Sequence, residues 1–336
     1  MRYRRLGNSG LLVSELALGA MIFGESSPRS TPPDEAERII HRFIDAGGNH
    51  IDTADVYAGG RSEEIVGRAI RGKRAALVLA SKVRFPKGEG PNDLGLSRYH
   101  VMQGVEASLR RLQVETIDLL YMHCWDNLTP LEESLRAFDD LVAAGKVRYI
   151  GVSNFKAWQL MKALSISDQH GWARFIAAQY QYSLVVRDIE LEFIDLLQSE
   201  GVGLVPWGPL GGGFLSGKYQ RDSPPTAPEQ GRLATEPEEH EESWVRRATE
   251  RNWRILDVMN DIVQNYGFSH SQIALSWLLT RPGVSSIIVG VRTQRQLEDN
   301  LGALDVELPE DEITRLDEVS DVGEGYPYRF IRDALR

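Results

Sequence analysis

The sequence predicts an α/β protein built as a closed (β/α)8 TIM barrel, with a β-hairpin ahead of the first barrel strand and a long loop after the seventh. Three observations carry this. Short apolar runs alternate with amphipathic stretches along almost the whole chain, the pattern of parallel strands joined by crossover helices. Eight such runs can be counted, each followed by a helical stretch, and eight units close a barrel. No flexible linker and no 20–50-residue repeat interrupts them. At 336 residues the chain exceeds a typical domain of ~150, but a barrel of ~250 residues with insertions accommodates it. Residues 1–336 are therefore read as one domain, with an open doubly wound sheet as the rival architecture.

The elements follow in order. Tyr3–Leu6 and Leu11–Val13 flank Gly7-Asn8-Ser9-Gly10, a hairpin pattern suited to plugging the bottom of a barrel. Strand one is Glu15–Gly19. A helix over Pro33–Ala46 carries Asp34 and Glu35 in its first turn, where the helix dipole favours anions. His50–Asp52 is strand two, followed by a helix near Ser62–Arg71. Ala76–Lys82 is strand three. Its helix, Ser97–Leu112, lines Val101, Val105 and Leu109 along one stripe. Strand four, Ile117–His123, precedes the helix Leu131–Ala144, which Gly145 stops. Strand five is Val147–Val152 with helix Lys156–Ser165, and strand six is Phe175–Gln179 with helix Ile189–Ser199. Strand seven is Val202–Trp207, with helices near Ser243–Asn265 and Ser269–Thr280 after it. Strand eight is Ser285–Val289, with helix Gln294–Leu304. Between strand seven and its helices, Gln220–Glu242 is irregular, proline-bearing and acidic in its second half. Loops this long are commonly lids, and this one falls at the face where barrel active sites lie.

Composition excludes several classes. Lys and Arg number 38 against 48 Asp and Glu, a net charge of −10, and the sequence pI is about 5.3. An acidic surface argues against nucleic acid or an anionic membrane as partner. The single cysteine, Cys124, excludes a disulfide-built scaffold. The apolar stretch Leu11–Phe23 is broken by Ser14 and Glu15 and offers no cleavage site, so a cytoplasmic protein is expected.

In a barrel the strand ends decide function. Strand two runs into Asp52-Thr53-Ala54-Asp55-Val56-Tyr57, strand three ends in Ser81-Lys82, and strand four in Tyr121-Met122-His123. Three neighbouring strands thus bring a carboxylate, a phenol, an ammonium and an imidazole to one rim. Each alone fits an ordinary structural role; together they make a proton-donating unit. A free tyrosine, with pKa ~10, is a poor acid at neutral pH. An adjacent Lys82 ammonium favours the phenolate and lowers that value. Asp52 is the counter-ion a buried lysine needs. His123 donates a hydrogen bond to a carbonyl oxygen or tunes the tyrosine.

These residues carry a resemblance. The whole chain resembles the aldo-keto reductases, in the branch of aryl-alcohol dehydrogenases and voltage-gated potassium channel β subunits. The opening Tyr3-Arg4-Arg5-Leu6-Gly7-Asn8-Ser9-Gly10-Leu11 is similar to the family's start, and the Asp-(x)4-Tyr signature, Ser81-Lys82 and Tyr121-Met122-His123 match its catalytic segments. The resemblance implies a catalytic tetrad of Asp52, Tyr57, Lys82 and His123. It implies that Ser153, Asn154 and Gln179 hold a nicotinamide carboxamide and that Trp207 stacks on the ring. The run Trp207–Lys218, with Pro209, Leu210, Gly211, Gly213 and Lys218, resembles the pyrophosphate loop, and Gly290, Arg292, Gln296 and Asn300 the adenosine end. Many relatives carry a lysine where Gly290 stands, facing the 2′-phosphate, and Arg292 replaces that charge here. NADP(H) is therefore the expected cofactor, with NAD(H) open should Arg292 point away.

The expected activity is reversible, NADPH-dependent reduction of an aldehyde or ketone to an alcohol, with a small-molecule carbonyl or alcohol as substrate. Phe23 and Trp125 are expected pocket walls, with Gln220–Glu242 as lid. Gly212–Tyr219 nearly spells a P-loop, but Tyr219 replaces the short hydroxyl that binds Mg²⁺, and no helix pattern follows. No metal motif is present. Cys124 is expected to be structural, since neighbouring strand residues face opposite ways and His123 points elsewhere. The alternative is an NADP-binding redox-sensing regulatory subunit with little turnover. Homo-oligomerisation is left open.

Overall fold

The computed structural model describes every residue except Glu25, Ser26, Pro28, Arg29, Leu335 and Arg336. Its first two strands, β1 (Tyr3–Arg5) and β2 (Leu12–Ser14), pair antiparallel with Arg4 opposite Val13. This is the expected hairpin. Leu6 and Val13 are fully buried with Ala17, Ala80, Leu119, Ala177 and Val205, so the hairpin seals the barrel floor.

Eight parallel strands follow: β3 (Leu16–Gly19), β4 (His50–Asp52), β5 (Val78–Val83), β6 (Ile117–Met122), β7 (Val147–Ser153), β8 (Phe175–Gln179), β9 (Gly203–Leu204) and β10 (Ile287–Gly290). They lie in the order β10-β3-β4-β5-β6-β7-β8-β9. The two ends meet: Leu204 N donates to Gly283 O at 2.9 Å, Ser285 N to Leu204 O at 2.8 Å and Ile288 N to Pro206 O at 2.9 Å. The sheet is thereby curled into a barrel, and the open doubly wound alternative falls. The regular part of β9 is shorter than the expected Val202–Trp207, because Pro206 has no N–H for the ladder. Its neighbours keep pairing, with Val205 N on Ala178 O and Trp207 N on Tyr180 O.

Strand alternation divides the apolar residues into two cores. Leu16, Leu18, Leu79, Leu120, Met122, Ile150 and Val152 face the helices; Ala17, Ala80, Leu119, Tyr121 and Ala177 face the barrel axis. Gly151 sits where a Cβ would lie 2.5 Å from the Tyr121 ring, so that glycine admits a tyrosine to the interior.

The outer layer comprises α1 (Pro33–Asp45), α2 (Arg61–Ala69), α3 (Arg98–Leu112), α4 (Leu131–Ala143), α5 (Ala157–His170), α6 (Phe193–Glu200), α7 (Trp244–Arg247), α8 (Glu250–Tyr266), α9 (His270–Leu279), α10 (Gln294–Leu301), α11 (Glu310–Val319) and α12 (Tyr328–Ala334). Two helices expected to be continuous are broken. A 3₁₀ turn over Asp188–Leu191 precedes α6, with Glu192 non-helical between them. Thr249 leaves the helical region and its hydroxyl caps α8 on Asn252 N, separating α7 from α8. The expected Gln294–Leu304 helix ends at Leu301 and continues as a 3₁₀ turn. Neither α11 nor α12 was anticipated; α11 is tied down by Asp317, whose carboxylate accepts from Trp277 Nε1 at 2.7 Å and Arg281 at 2.8 Å. No helix among the described residues is long and apolar enough to cross a membrane.

Candidate active site

The axis-facing parity that buries Ala17, Ala80 and Ala177 also fixes the strand-end side chains. Two residues beyond Ala80 comes Lys82, two beyond Tyr121 comes His123, and two beyond Ala177 comes Gln179. Asp52, Lys82, Ser153 and Gln179 are thereby gathered at the C-terminal end of the barrel, all buried.

Lys82 is fully buried. Its ammonium forms an ion pair with Asp52 Oδ1 and donates to Thr53 O at 2.9 Å and to Tyr57 Oη at 3.2 Å. The second Asp52 oxygen accepts from Gln179 Nε2 at 2.8 Å. Tyr57 leaves the turn that follows β4, where Ala58, Gly59 and Gly60 all take positive φ. Ser62 anchors that turn, donating to Ala20 O at 2.7 Å and bonding Thr53 Oγ1 at 2.8 Å. The His123 ring stands edge-on to Tyr57 at 5.8 Å and to Phe85 at 4.7 Å. The four residues singled out from sequence therefore form one contiguous cluster.

Their electrostatics follow from burial and pairing. Burial pulls the Lys82 ammonium down, but Asp52 and Tyr57 outweigh it and its pKa is raised, so it stays charged. Tyr57 departs from expectation: its pKa is raised rather than lowered. Burial is the largest cause and Asp52 adds to it, while Lys82 pulls the other way. His123 is held well below the usual histidine value by burial, then by Lys82 and Arg84, and its imidazole is neutral. The cluster thus presents a protonated phenol and a neutral imidazole beside a fixed ammonium.

The residues expected to hold a cofactor are placed as follows. Ser153 Oγ donates to Gln179 O at 2.8 Å. Asn154 spends both Nδ2 hydrogens internally, on His123 O at 3.0 Å and Ser153 Oγ at 2.9 Å, which leaves its carbonyl oxygen for a ligand. Trp207 is half-buried against the barrel interior. Pro209 and Gly211 are buried and Leu210 half-buried at the start of the glycine-rich turn Gly211–Ser216. Gly213 has φ 90°, and a Cβ there would stand 3.1 Å from Lys218 Nζ, so this glycine keeps the backbone open beneath an ammonium. Burial, then Arg292, lowers the Lys218 pKa, which shows the two cations sharing one region. Gly290 is exposed with open space about it. Arg292 N donates to Gln296 Oε1 at 2.8 Å, and Asn300 is buried on α10. Two cations with no ion pair among the described residues, beside a strip of small residues, suit a dinucleotide polyphosphate.

Of the two expected pocket-wall residues, Phe23 is placed otherwise and Trp125 is half-buried. Phe23 is 0 % exposed in the core and offers no face to open space. Trp125 packs edge-on against Phe155 at 5.0 Å and against the exposed Trp158 at 6.1 Å, in the outer layer. Cys124 Sγ lies 3.8 Å from Asn154 O. The long loop folds back onto the glycine-rich turn: Leu233 reaches Gly212, Glu242 reaches Gly208, and Arg232 is held by Glu242 at 2.6 Å and Glu236 at 3.1 Å. Sequence reasoning missed Arg232, whose charge is felt at Tyr57. It also missed Arg84, Phe85 and the Gln179–Asp52 bond. Arg84 was within reach, since it shares the parity of Lys82. Arg232 was not, since loop geometry has no period to read. Among the described residues no group of three or more His, Cys, Asp or Glu side chains is arranged to hold a metal ion.

The chain is similar to known proteins along most of its length. The model of the Aldo/keto reductase family matches residues 15–321. A probable voltage-gated potassium channel subunit beta of Oryza sativa subsp. japonica is 37% identical over 91% of this chain and 92% of its own length. An uncharacterized oxidoreductase of Bacillus subtilis is 35% identical, covering 95% of this chain and 96% of its own length. A versiconal hemiacetal acetate reductase of Aspergillus parasiticus is 33% identical over the same shares.

Proposed function

The chain belongs to the aldo/keto reductase family, and from that premise we propose that it is an NADPH-dependent reductase of aldehydes or ketones, reversible as an alcohol dehydrogenase. The observation that carries the reading is the buried Asp52–Lys82–Tyr57 chain with His123 beside it. A nicotinamide dinucleotide, when bound, supplies the hydride.

The chain's own residues do the rest. Tyr57 holds its proton at neutral pH because burial disfavours the phenolate, and it gives that proton to the substrate oxygen as negative charge develops there. The Lys82 ammonium, 3.2 Å from Tyr57 Oη, stabilises the phenolate left behind. Asp52 fixes Lys82, and Gln179 in turn fixes Asp52. Neutral His123 orients the carbonyl and donates to its oxygen. Lys218 and Arg292 would hold phosphate groups, and Arg292 is the candidate for discriminating NADPH from NADH.

The test begins with tryptophan fluorescence during titration with NADPH and NADH side by side, followed by turnover of an aldehyde and ketone panel. Tight quenching by NADPH, weak quenching by NADH and oxidation of NADPH by a carbonyl are expected. Tyr57→Phe should lose a factor of ~10²–10⁴ in kcat and bind cofactor within twofold of the parent. Near-normal turnover by that variant removes the assignment. Tight binding with no turnover on any carbonyl would favour a cofactor-sensing subunit, the role suggested by the relatives named as channel β subunits.

A further inference from the structure

One cation beside the catalytic cluster, Arg84, has no counter-charge among the described residues. Arg84 follows β5 and shares the axis-facing parity of Ala80 and Lys82, whereas Val83 between them packs outward against Gly104 of α3. The Arg84 guanidinium stacks over the Phe85 ring, 5.3 Å from its centroid, and the Phe85 ring lies edge-on to His123 at 4.7 Å. The charge is near enough to act on His123 directly. Yet Arg84 Nε is buried without a hydrogen-bond partner, and no carboxylate among the described residues pairs with it. Of the other cations packed about the cluster, Lys82 is balanced by Asp52 and Arg232 by Glu236 and Glu242, while Lys218 and Arg292 lie together on the side of the glycine-rich turn. In a chain of net charge −10, this half-buried guanidinium is held on an aromatic face beside the catalytic histidine with its Nε left unbonded, and so can take an anion from outside the chain.

We propose that Arg84 is a specificity-determining residue: it receives an anionic group, a carboxylate or its like, carried on the carbonyl substrate, while Phe85 packs the apolar body between that anion and the reacting carbonyl. The inference rests on the reductase reading above and names its substrate class. Stacking on Phe85 fixes the guanidinium plane and leaves its edge for the fork-like, two-bond contact that arginine makes with carboxylates. His123 and Arg84 then address opposite ends of one molecule, the carbonyl oxygen and the anion.

The test compares two aldehydes of nearly equal size, 4-carboxybenzaldehyde and its neutral methyl ester, in the NADPH-dependent assay. The expected kcat/KM ratio favours the acid by about tenfold or more, the worth of one charge-assisted contact, with the difference lying in KM. Arg84→Met should bring the ratio to about one, and Arg84→Lys should keep part of it, since the charge remains without the fork. A purely structural arginine would lower both substrates together and leave the ratio unmoved. Competitive inhibition supplies a readout on the parent protein alone: benzoate should inhibit reduction of the ester at least about tenfold better than benzamide. Turnover of both aldehydes at equal efficiency, or a preference that survives Arg84→Met, overturns the proposal and leaves the reductase reading standing. No turnover of any carbonyl overturns both.

Discussion

At the scale of single residues, Asp52 is the keystone of the cluster, because it alone compensates a fully buried ammonium and also receives Gln179. Asp52→Asn leaves Lys82 charged and unpaired in the interior, a change worth about 3–5 kcal/mol of stability. Adding Lys82→Met removes the orphaned charge, so the double variant should be more stable than Asp52→Asn alone by urea denaturation. An Asp52→Asn protein as stable as the parent would show that Thr53 O and Tyr57 suffice as partners for Lys82. The same residues show what sequence could tell. Residue types at the ends of three neighbouring strands placed all four members of the cluster on one rim. The direction of the Tyr57 pKa was misread, because the sequence displays the neighbouring lysine and not the burial that outweighs it. Phe23 was misplaced for a related reason: an aromatic after a strand reads alike whether it turns to the mouth or back into packing.

At the scale of elements, the strands and their order were legible because parallel strands between helices read as clear apolar runs. Breaks in helices were not, since Glu192 and Thr249 interrupt patterns that remain amphipathic across the break. The loop over residues 220–242 was recognisable as an insertion, but not as a strap lying on the glycine-rich turn. Its hold depends on Arg232 bridging Glu236 and the buried Glu242. Glu242→Gln should therefore loosen the strap without touching the barrel. Limited proteolysis is expected to cut within residues 220–242 several-fold faster, and cofactor affinity to fall, while the melting temperature of the barrel moves little. Unchanged cleavage would mean that Leu233 packing on Gly212 holds the strap by itself. Gly213→Ala tests the surface beneath it. A residue with φ 90° and a Cβ 3.1 Å from Lys218 Nζ should weaken NADPH binding by about tenfold or more, with the far-ultraviolet circular dichroism unchanged.

At the scale of the whole molecule, two buried groups outside the Asp52–Lys82–Tyr57 chain set opposing pH dependences of stability. Asp55 is fully buried, with neither carboxylate oxygen hydrogen-bonded, and its pKa is pushed up to about 7 by burial and by Glu63, against Lys87 and Arg111. The unfolded chain ionises this group from its ordinary value of 3.8, so the folded state binds the extra proton between the two values. Stability from Asp55 therefore falls as pH rises from about 4 to about 7. His50, also buried, is pushed down to about 4 by burial and Lys82, against Asp52 and Asp118, from an ordinary 6.5. Here the unfolded state binds the extra proton, and stability rises with pH over nearly the same window. In the parent the two slopes largely offset one another. Asp55→Asn removes the falling one, so its stability relative to the parent should grow by about 2–3 kcal/mol between pH 5 and pH 7.5, at ~1.4 kcal/mol per pKa unit. His50→Gln removes the rising one, so its stability relative to the parent should decline by about 2 kcal/mol over the same range. Urea midpoints for the three proteins at the two pH values measure both. Taking differences from the parent cancels carboxylates with depressed pKa, such as Glu15 and Asp126, which all three proteins share. If the Asp55→Asn difference is the same at both pH values, the Asp55 carboxyl is ionised in the fold, and Lys87, whose ammonium rests on the Asp55 carbonyl at 2.5 Å, is its counter-ion.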